Sequence, residues 1–362
     1  MDFQSVFEDT IFILIFGGVT FLEVTTALYL LLRRANAIAP DVTPPSRLRR
    51  WAATLLAATA TSHILWVTFI CSPTPEYLMI LSCLDILFLI IPLSGTLMAM
   101  LQDRHRPIWP VVLAIAPIVA LTAMGVIFKD DSFYTLMYIY ALSLYVLFTI
   151  YMLFALRSYG RWLRNNYADL EHKEIFQSLL LIVVFLLAFY IYGSDNGGKF
   201  YRYFLQADNI LVVCLLLWRV ETLQKLEENN SSEAKQAEDF QKAAKSHVIP
   251  ANIGPLLKVH CEDALLFLQY DLTLAQLAHI IGTNRYYLSQ YFAQQGLTYN
   301  SYINGLRVGH FIHLYHEAVS SQRIFTVQQL AFESGFNSYS TFSSAFKQKT
   351  GKTVTAWMRS AE

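Results

Sequence analysis

Over its first two thirds the chain alternates long apolar runs with short polar stretches, and beyond them it turns to shorter apolar repeats spaced three and four apart. Seven runs, at roughly 11–32, 51–70, 77–100, 108–128, 133–156, 175–192 and 203–220, reach or approach the about 20 residues that a helix needs to cross a hydrocarbon core. The last two are the shortest, and Asp208 and Asn209 break the seventh early. From 221 to about 258, Ala, Glu, Lys and Gln dominate around a polar break at 229–232, with Pro250 near the end. That composition predicts a solvated, partly helical tether. Val220, Leu223 and Leu226 predict that the last long helix continues about two turns past the membrane before the tether begins.

Composition makes lipid part of the solvent: 15% of residues are charged, 55% are hydrophobic, and the mean hydropathy is +0.38. The net charge of zero averages two unlike parts, because 221–362 holds 12 Lys or Arg and 12 Asp or Glu in ordinary soluble proportions. Basic residues sort by loop: Arg33, Arg34, Arg47, Arg49 and Arg50 in the first, Arg104 and Arg106 in the third, and Arg157, Arg161, Arg164 and Lys173 in the fifth. The alternate loops have only Lys129, Lys199 and Arg202. Short loops rich in Lys and Arg stay cytoplasmic, so the N-terminus is expected outside and the C-terminal part in the cytoplasm of a bacterial inner membrane. Trp51, Trp109, Trp162 and Trp218 fall at the ends so assigned, where an amphipathic ring prefers to sit. A cleaved signal peptide fits the first run less well, since no basic stretch precedes it and Arg33 and Arg34 close it. Cys71, Cys83, Cys214 and Cys261 form no C-x-x-C pair and read as isolated thiols.

Three ionisable residues, Glu23, His63 and Asp85, lie within the first three runs. A charge in lipid costs several kcal/mol (about 3 or more) unless it is paired, hydrated or neutralised. All three fall near the middle of their runs, which allows one shared polar pocket, read either as a ligand or proton site or as hydrogen bonds that hold the bundle together. Pro92 with Gly95, and Pro117, mark places where the third and fourth helices can kink.

Two helix-turn-helix patterns follow the tether. In the first, Leu277 and Ile281 supply an inner face, Ala278 is small enough for a second helix to cross, Gly282 suits a left-handed turn, and Asn284 can cap the next helix. Leu288 and Phe292, four apart, then face the core. The second unit repeats the plan with Leu330, Ala331, Gly335, Ser338, Phe342 and Phe346, its turn longer by one residue. Between them, 301–321 has the apolar spacing of a connecting helix.

The run Ala331-x-x-x-Gly335-Phe336-x-x-x-Ser340-x-Phe342-x-x-x-Phe346-Lys347-x-x-x-Gly351-x-Thr353, together with the stretch from Tyr302 to Arg307, resembles the AraC-type transcription regulators over about 256–359. The resemblance implies that the second helix of each unit enters a major groove, the two about 34 Å apart along the duplex. Matched residue by residue, it places Tyr286, Ser289 and Gln290, and Tyr339, Ser340, Ser343 and Ser344, toward base edges. Arg285, Lys347, Lys349 and Lys352 then read as phosphate contacts. The sequence departs from the family at Val354 for a usual proline, Met358 and Ser344 for arginines, and Ala293 for a lysine. With eight basic and six acidic residues over 258–362, phosphate affinity is expected to be modest.

His310, His313 and His316 sit three apart, but the outer pair diverges around a helix and no carboxylate or thiol completes a set, so no metal or cofactor is expected. There is no phosphate-binding loop, nucleophile elbow or dinucleotide fingerprint, and catalysis has no support. The expected protein is all-α: a seven-helix transmembrane bundle over 1–220, a linker over 221–257, and a tandem helix-turn-helix domain over 258–362. The function expected is that of a membrane-tethered transcription regulator. Its partners would be double-stranded DNA, the lipid bilayer and an unidentified small-molecule or protein signal, with a homodimer as an open option. The competing function is a transporter or membrane enzyme with an appended DNA-binding module.

Overall fold

A computed structural model describes residues 9–33, 36–40, 42–71, 74–170, 173, 198–226 and 253–361, and every regular element among them is a helix. Six are long: α1 Thr10–Leu32, α2 Ser46–Cys71, α3 Pro75–Met100, α4 Trp109–Phe128, α5 Ser132–Asn166 and α6 Lys199–Thr222. By length and composition these six could each cross a membrane. The expected span at 175–192 lies outside the described residues, as does most of the tether. The chain divides into two units, one of 1–157 with 175–226, the other of 158–174 with 227–362.

In the first unit, the apolar side chains of α3, α4 and α5 interlock around Cys83, Ile86, Ile90, Ile115, Ile118, Met137 and Ala141. Helices α2 and α3 approach so closely that a Cβ on Gly95 would lie 2.4 Å from the Trp51 ring. Much outward surface stays apolar, including Leu14, Phe21, Leu113, Ile127 and Phe154. Helices α1 and α6 run parallel, being joined at both ends. At the start, Asp9 caps α1 through the Phe12 amide (3.2 Å), accepts from the Tyr203 hydroxyl (2.8 Å) and pairs with Lys199 (3.1 Å). At the far end, buried Glu221 accepts from the Tyr29 hydroxyl and from the Ala37 and Ile38 amides at 2.8 and 2.7 Å, while its carbonyl accepts from Asn36.

The continuation of α6 expected from Val220, Leu223 and Leu226 does not occur. The helix ends at Thr222, and Leu223 is extended. Competing partners explain the stop, because backbone groups that further helical turns would use are taken elsewhere. The Lys225 amide donates to Thr43 O (2.7 Å), and the Gln102 side chain bonds both Gln224 O and the Leu226 amide at 2.9 Å.

The second unit contains α7 Ile253–Leu257, a π-type turn Lys258–Asp263, a 3-10 turn Leu266–Leu268, α8 Leu274–Ile280, α9 Arg285–Gln294, α10 Tyr299–Ser320, α11 Val327–Glu333, α12 Tyr339–Thr350 and α13 Val354–Ala361. Polar caps set the helix starts: Thr273, Asn284, Thr298, Thr326 and Ser338 each accept from an amide in the first turn. The 22-residue helix α10 serves two cores. Tyr299 and Ile303, on its first turns, join Leu277, Ala278, Ile281, Leu288 and Phe292. Further along, Val308, Phe311 and Tyr315 join Leu330, Ala331, Phe336, Phe342 and Phe346. A fully buried large apolar side chain is worth roughly 1.5–3 kcal/mol, so the four buried phenylalanines of the second core anchor α12 firmly. All four cysteines are free thiols, Cys71 and Cys214 exposed and Cys83 and Cys261 buried; burial pushes the Cys261 thiol up to about 12.

Candidate nucleic-acid interface and a buried polar cluster

Each helix-turn-helix unit is built as its sequence pattern requires. In the first, four residues separate α8 from α9; in the second, five separate α11 from α12. Gly282 and Gly335 both adopt the left-handed backbone, at φ +72° and +86°. Asn284 and Ser338 cap α9 and α12 by accepting from the Tyr287 and Thr341 amides. With Leu288 and Phe292 turned inward, Tyr286, Ser289 and Gln290 share the opposite side of α9. Gln290 donates its amide to the Tyr286 hydroxyl at 2.6 Å. On α12, burial of Phe342 and Phe346 leaves Tyr339, Ser340, Ser344 and Lys347 exposed and Ser343 half-buried.

The cationic candidates differ in what they touch. Arg285 stands at the start of α9 and donates from Nε to Asn166 Oδ1 at 2.8 Å. Lys349 bends back onto the connecting helix and donates to Gly305 O, and partial burial there lowers its ammonium pKa. His310 and His316 pack against aromatic rings, Phe267 and Trp357 respectively, while His313 faces Glu317.

Comparison with protein families finds that residues 277–360 match the family described as a helix-turn-helix domain, of AraC type. This segment is an AraC-type helix-turn-helix domain. No curated protein and no solved structure matches the chain. The match supports a DNA-binding transcription regulator. Within the AraC-type domain, Arg307 is fully buried and ties α10 to the segment before α8, donating to the Phe267, Gln269 and Tyr270 carbonyls at 2.7, 2.7 and 3.3 Å. The Arg307 motif was legible in the sequence, but its three-carbonyl role depends on a loop with no motif of its own.

In the first unit of the fold, the structure joins two of the three ionisable residues singled out above. Glu23 Oε2 lies 3.2 Å from His63 Nδ1, and both residues are buried. Thr20 Oγ1 lies 2.8 Å from Phe16 O and 3.1 Å from His63 Nδ1. Asn209 bonds His63 Nε2 at 3.1 Å. Asp85 is held apart: its two oxygens accept from Ser62 and Trp66. Asp208 and Gln206 are buried, and among the described residues no hydrogen-bond partner meets Asp208 Oδ2, Gln206 Oε1 or Glu23 Oε2, the last of which faces only the ion-pair contact with His63. Asp208 and Asn209 interrupt an apolar run in the sequence, and their polarity is the signal that α6 contributes to the cluster.

Proposed function

We propose that this protein is a membrane-tethered, sequence-specific DNA-binding transcription regulator, with no enzymatic activity, whose helical bundle senses a signal and sets the geometry or pairing of its DNA-binding domains. The observation that carries this reading is the presence, in one chain, of six helices long and apolar enough to cross a membrane and an AraC-type domain. The parallel run of α1 and α6 supports a cytoplasmic exit. It brings the end of α6 beside 36–38 in the first loop, whose arginines favour the cytoplasm. The reading places the chain in a bacterial inner membrane with the N-terminus outside, as the charge bias of the loops favours. Tethering and pairing with a second copy would raise local concentration and offset the domain's modest positive charge.

On DNA, Tyr286, Ser289 and Gln290 of α9, and Tyr339, Ser340, Ser343 and Ser344 of α12, are proposed to face bases. Arg285, Lys347, Lys349 and Lys352 are proposed to reach phosphates. Serine hydroxyls discriminate little, whereas a glutamine pairing with adenine contributes about 1–3 kcal/mol. Gln290→Ala is therefore expected to relax preference at one base pair, and Lys347→Ala to weaken binding to every sequence and lower its salt dependence. Binding of single-base duplex variants across a salt series checks both. Intact base preference in Gln290→Ala with loss of preference in Ser343→Ala would reverse the roles assigned to the two units.

For sensing, the proposed site is Glu23 with His63, joined by Thr20 and Asn209, while Asp85 of α3 holds Ser62 and Trp66, which flank His63 on α2. Glu23→Gln and His63→Ala are expected to abolish the signal response of a chromosomal reporter at normal protein level, with Asp85→Asn having the smaller effect. Response unchanged in all three variants would remove sensing from the cluster.

A further inference from the structure

The second unit includes a piece of chain remote in sequence from the rest of it, Ser158–Glu174. Here α5 ends at Asn166, and the next residues enter the first helix-turn-helix unit. Ala168 is 1% exposed, within the core formed by Leu272, Leu274, Leu277, Tyr299 and Ile303. Its carbonyl accepts from Asn300 Nδ2 at 2.6 Å and Asn304 Nδ2 at 3.1 Å. Tyr167 forms an isolated antiparallel bridge with Thr273, the cap of α8. Asp169 is buried, and its charge favours the ionised form of buried Arg307.

One contact touches the proposed DNA interface directly. Asn166 gives its amide hydrogens to Trp162 O at 2.6 Å, which turns its oxygen toward Arg285 Nε at 2.8 Å. Arg285 opens α9, where a guanidinium can meet a phosphate in line with the positive end of the helix. A guanidinium committed to Asn166 on one edge must reorient or release it to grip a phosphate bidentately. The turn is further held by the Asn300 and Asn304 side-chain amides, the Tyr167–Thr273 bridge and the burial of Ala168, contacts that lie outside the helices' own backbone hydrogen bonds.

We infer that 166–169 is a detachable intramolecular ligand of the first helix-turn-helix unit, competing with DNA phosphate for Arg285, so that docking of this turn and DNA binding oppose one another. The inference rests on the DNA-binding reading above. Because the turn is the direct continuation of α5, a displacement of that helix along its axis would change the docked fraction and hence DNA affinity. The two binding events are linked reciprocally: whatever docking takes from DNA affinity, DNA takes from docking.

The test uses full-length protein in lipid nanodiscs and a duplex recovered from chromosomal DNA crosslinked to that protein. Asn166→Ala is expected to tighten binding on the order of tenfold, Asn300→Ala to act in the same direction, and Arg285→Ala to weaken it. In the Arg285→Ala background Asn166→Ala should have no effect. Hydrogen exchange at 167–169 should rise when the duplex is added. Wild-type binding with unchanged or weaker binding by Asn166→Ala, or exchange at 167–169 unaffected by DNA, overturns the competition. Recovery of no preferred site by the wild-type protein removes the DNA-binding reading itself, a result distinguishable from the first.

Discussion

Replacing Arg307 by methionine is expected to cost the C-terminal unit about 3–5 kcal/mol, the range for breaking a buried charged network from one side. The substitution keeps much of the apolar stem but removes the donors that satisfy Phe267 O, Gln269 O and Tyr270 O. A buried acceptor left alone costs roughly 1–3 kcal/mol, and whole domains are stable by only about 5–15 kcal/mol. Burial pulls the Arg307 pKa down, while the charges of nearby Asp169 and Asp271 act the other way; a guanidinium stays charged under such a balance. Arg307→Lys, retaining charge without the planar fork, should fall between. Hydrogen exchange over 267–271 and the first turns of α10 in the full chain checks this. Protection equal to wild type in Arg307→Met would show that the three carbonyls do not depend on Arg307.

Gly335→Ala should be the more damaging of the two turn-glycine substitutions. Both positions need positive φ, which costs an L residue about 1–2 kcal/mol, and at Gly282 nothing lies within 4 Å of the added Cβ. At Gly335 the Cβ would stand 2.8 Å from Leu268 Cα and 2.9 Å from Leu268 O. Backbone yields less readily than a side-chain tip, and overpacking adds about 1–3 kcal/mol. Urea midpoints of the two full-length variants, followed by Trp357 fluorescence, should drop about twice as far for Gly335→Ala. Equal drops would mean that the 266–268 turn moves aside freely.

What the sequence made legible followed from periodicity and from residues with one dominant structural use. Apolar run length anticipated α1 to α6, and the spacing from glycine to phenylalanine anticipated both helix-turn-helix cores and the longer second turn. Asn284 and Ser338 announced their caps. What escaped were contacts made through backbone groups or by residues whose polarity has several uses. Ala168 is recognised by its carbonyl, which no side-chain pattern encodes, so nothing in the chain announced that 166–169 enters a core more than 100 residues away. Glu221 read as the first residue of a charged tether, yet the first loop surrounds its carboxylate with donors. The grouping of Asp85 with Glu23 and His63 came from depth alone; rotation about the α2 axis sends its neighbour Ser62, and not His63, to meet that carboxylate. The same uncertainty of rotation hid Asn209, which depth along α6 could place but not aim.

The proposed function requires that one membrane-embedded chain read DNA. Membranes carrying the full-length protein would be crosslinked to chromosomal DNA in cells, isolated by flotation, and the attached DNA sequenced. Discrete sites that share a sequence motif are expected, recovered with the intact chain in the membrane fraction. DNA recovered without a shared motif, or only with a soluble C-terminal fragment, would contradict it.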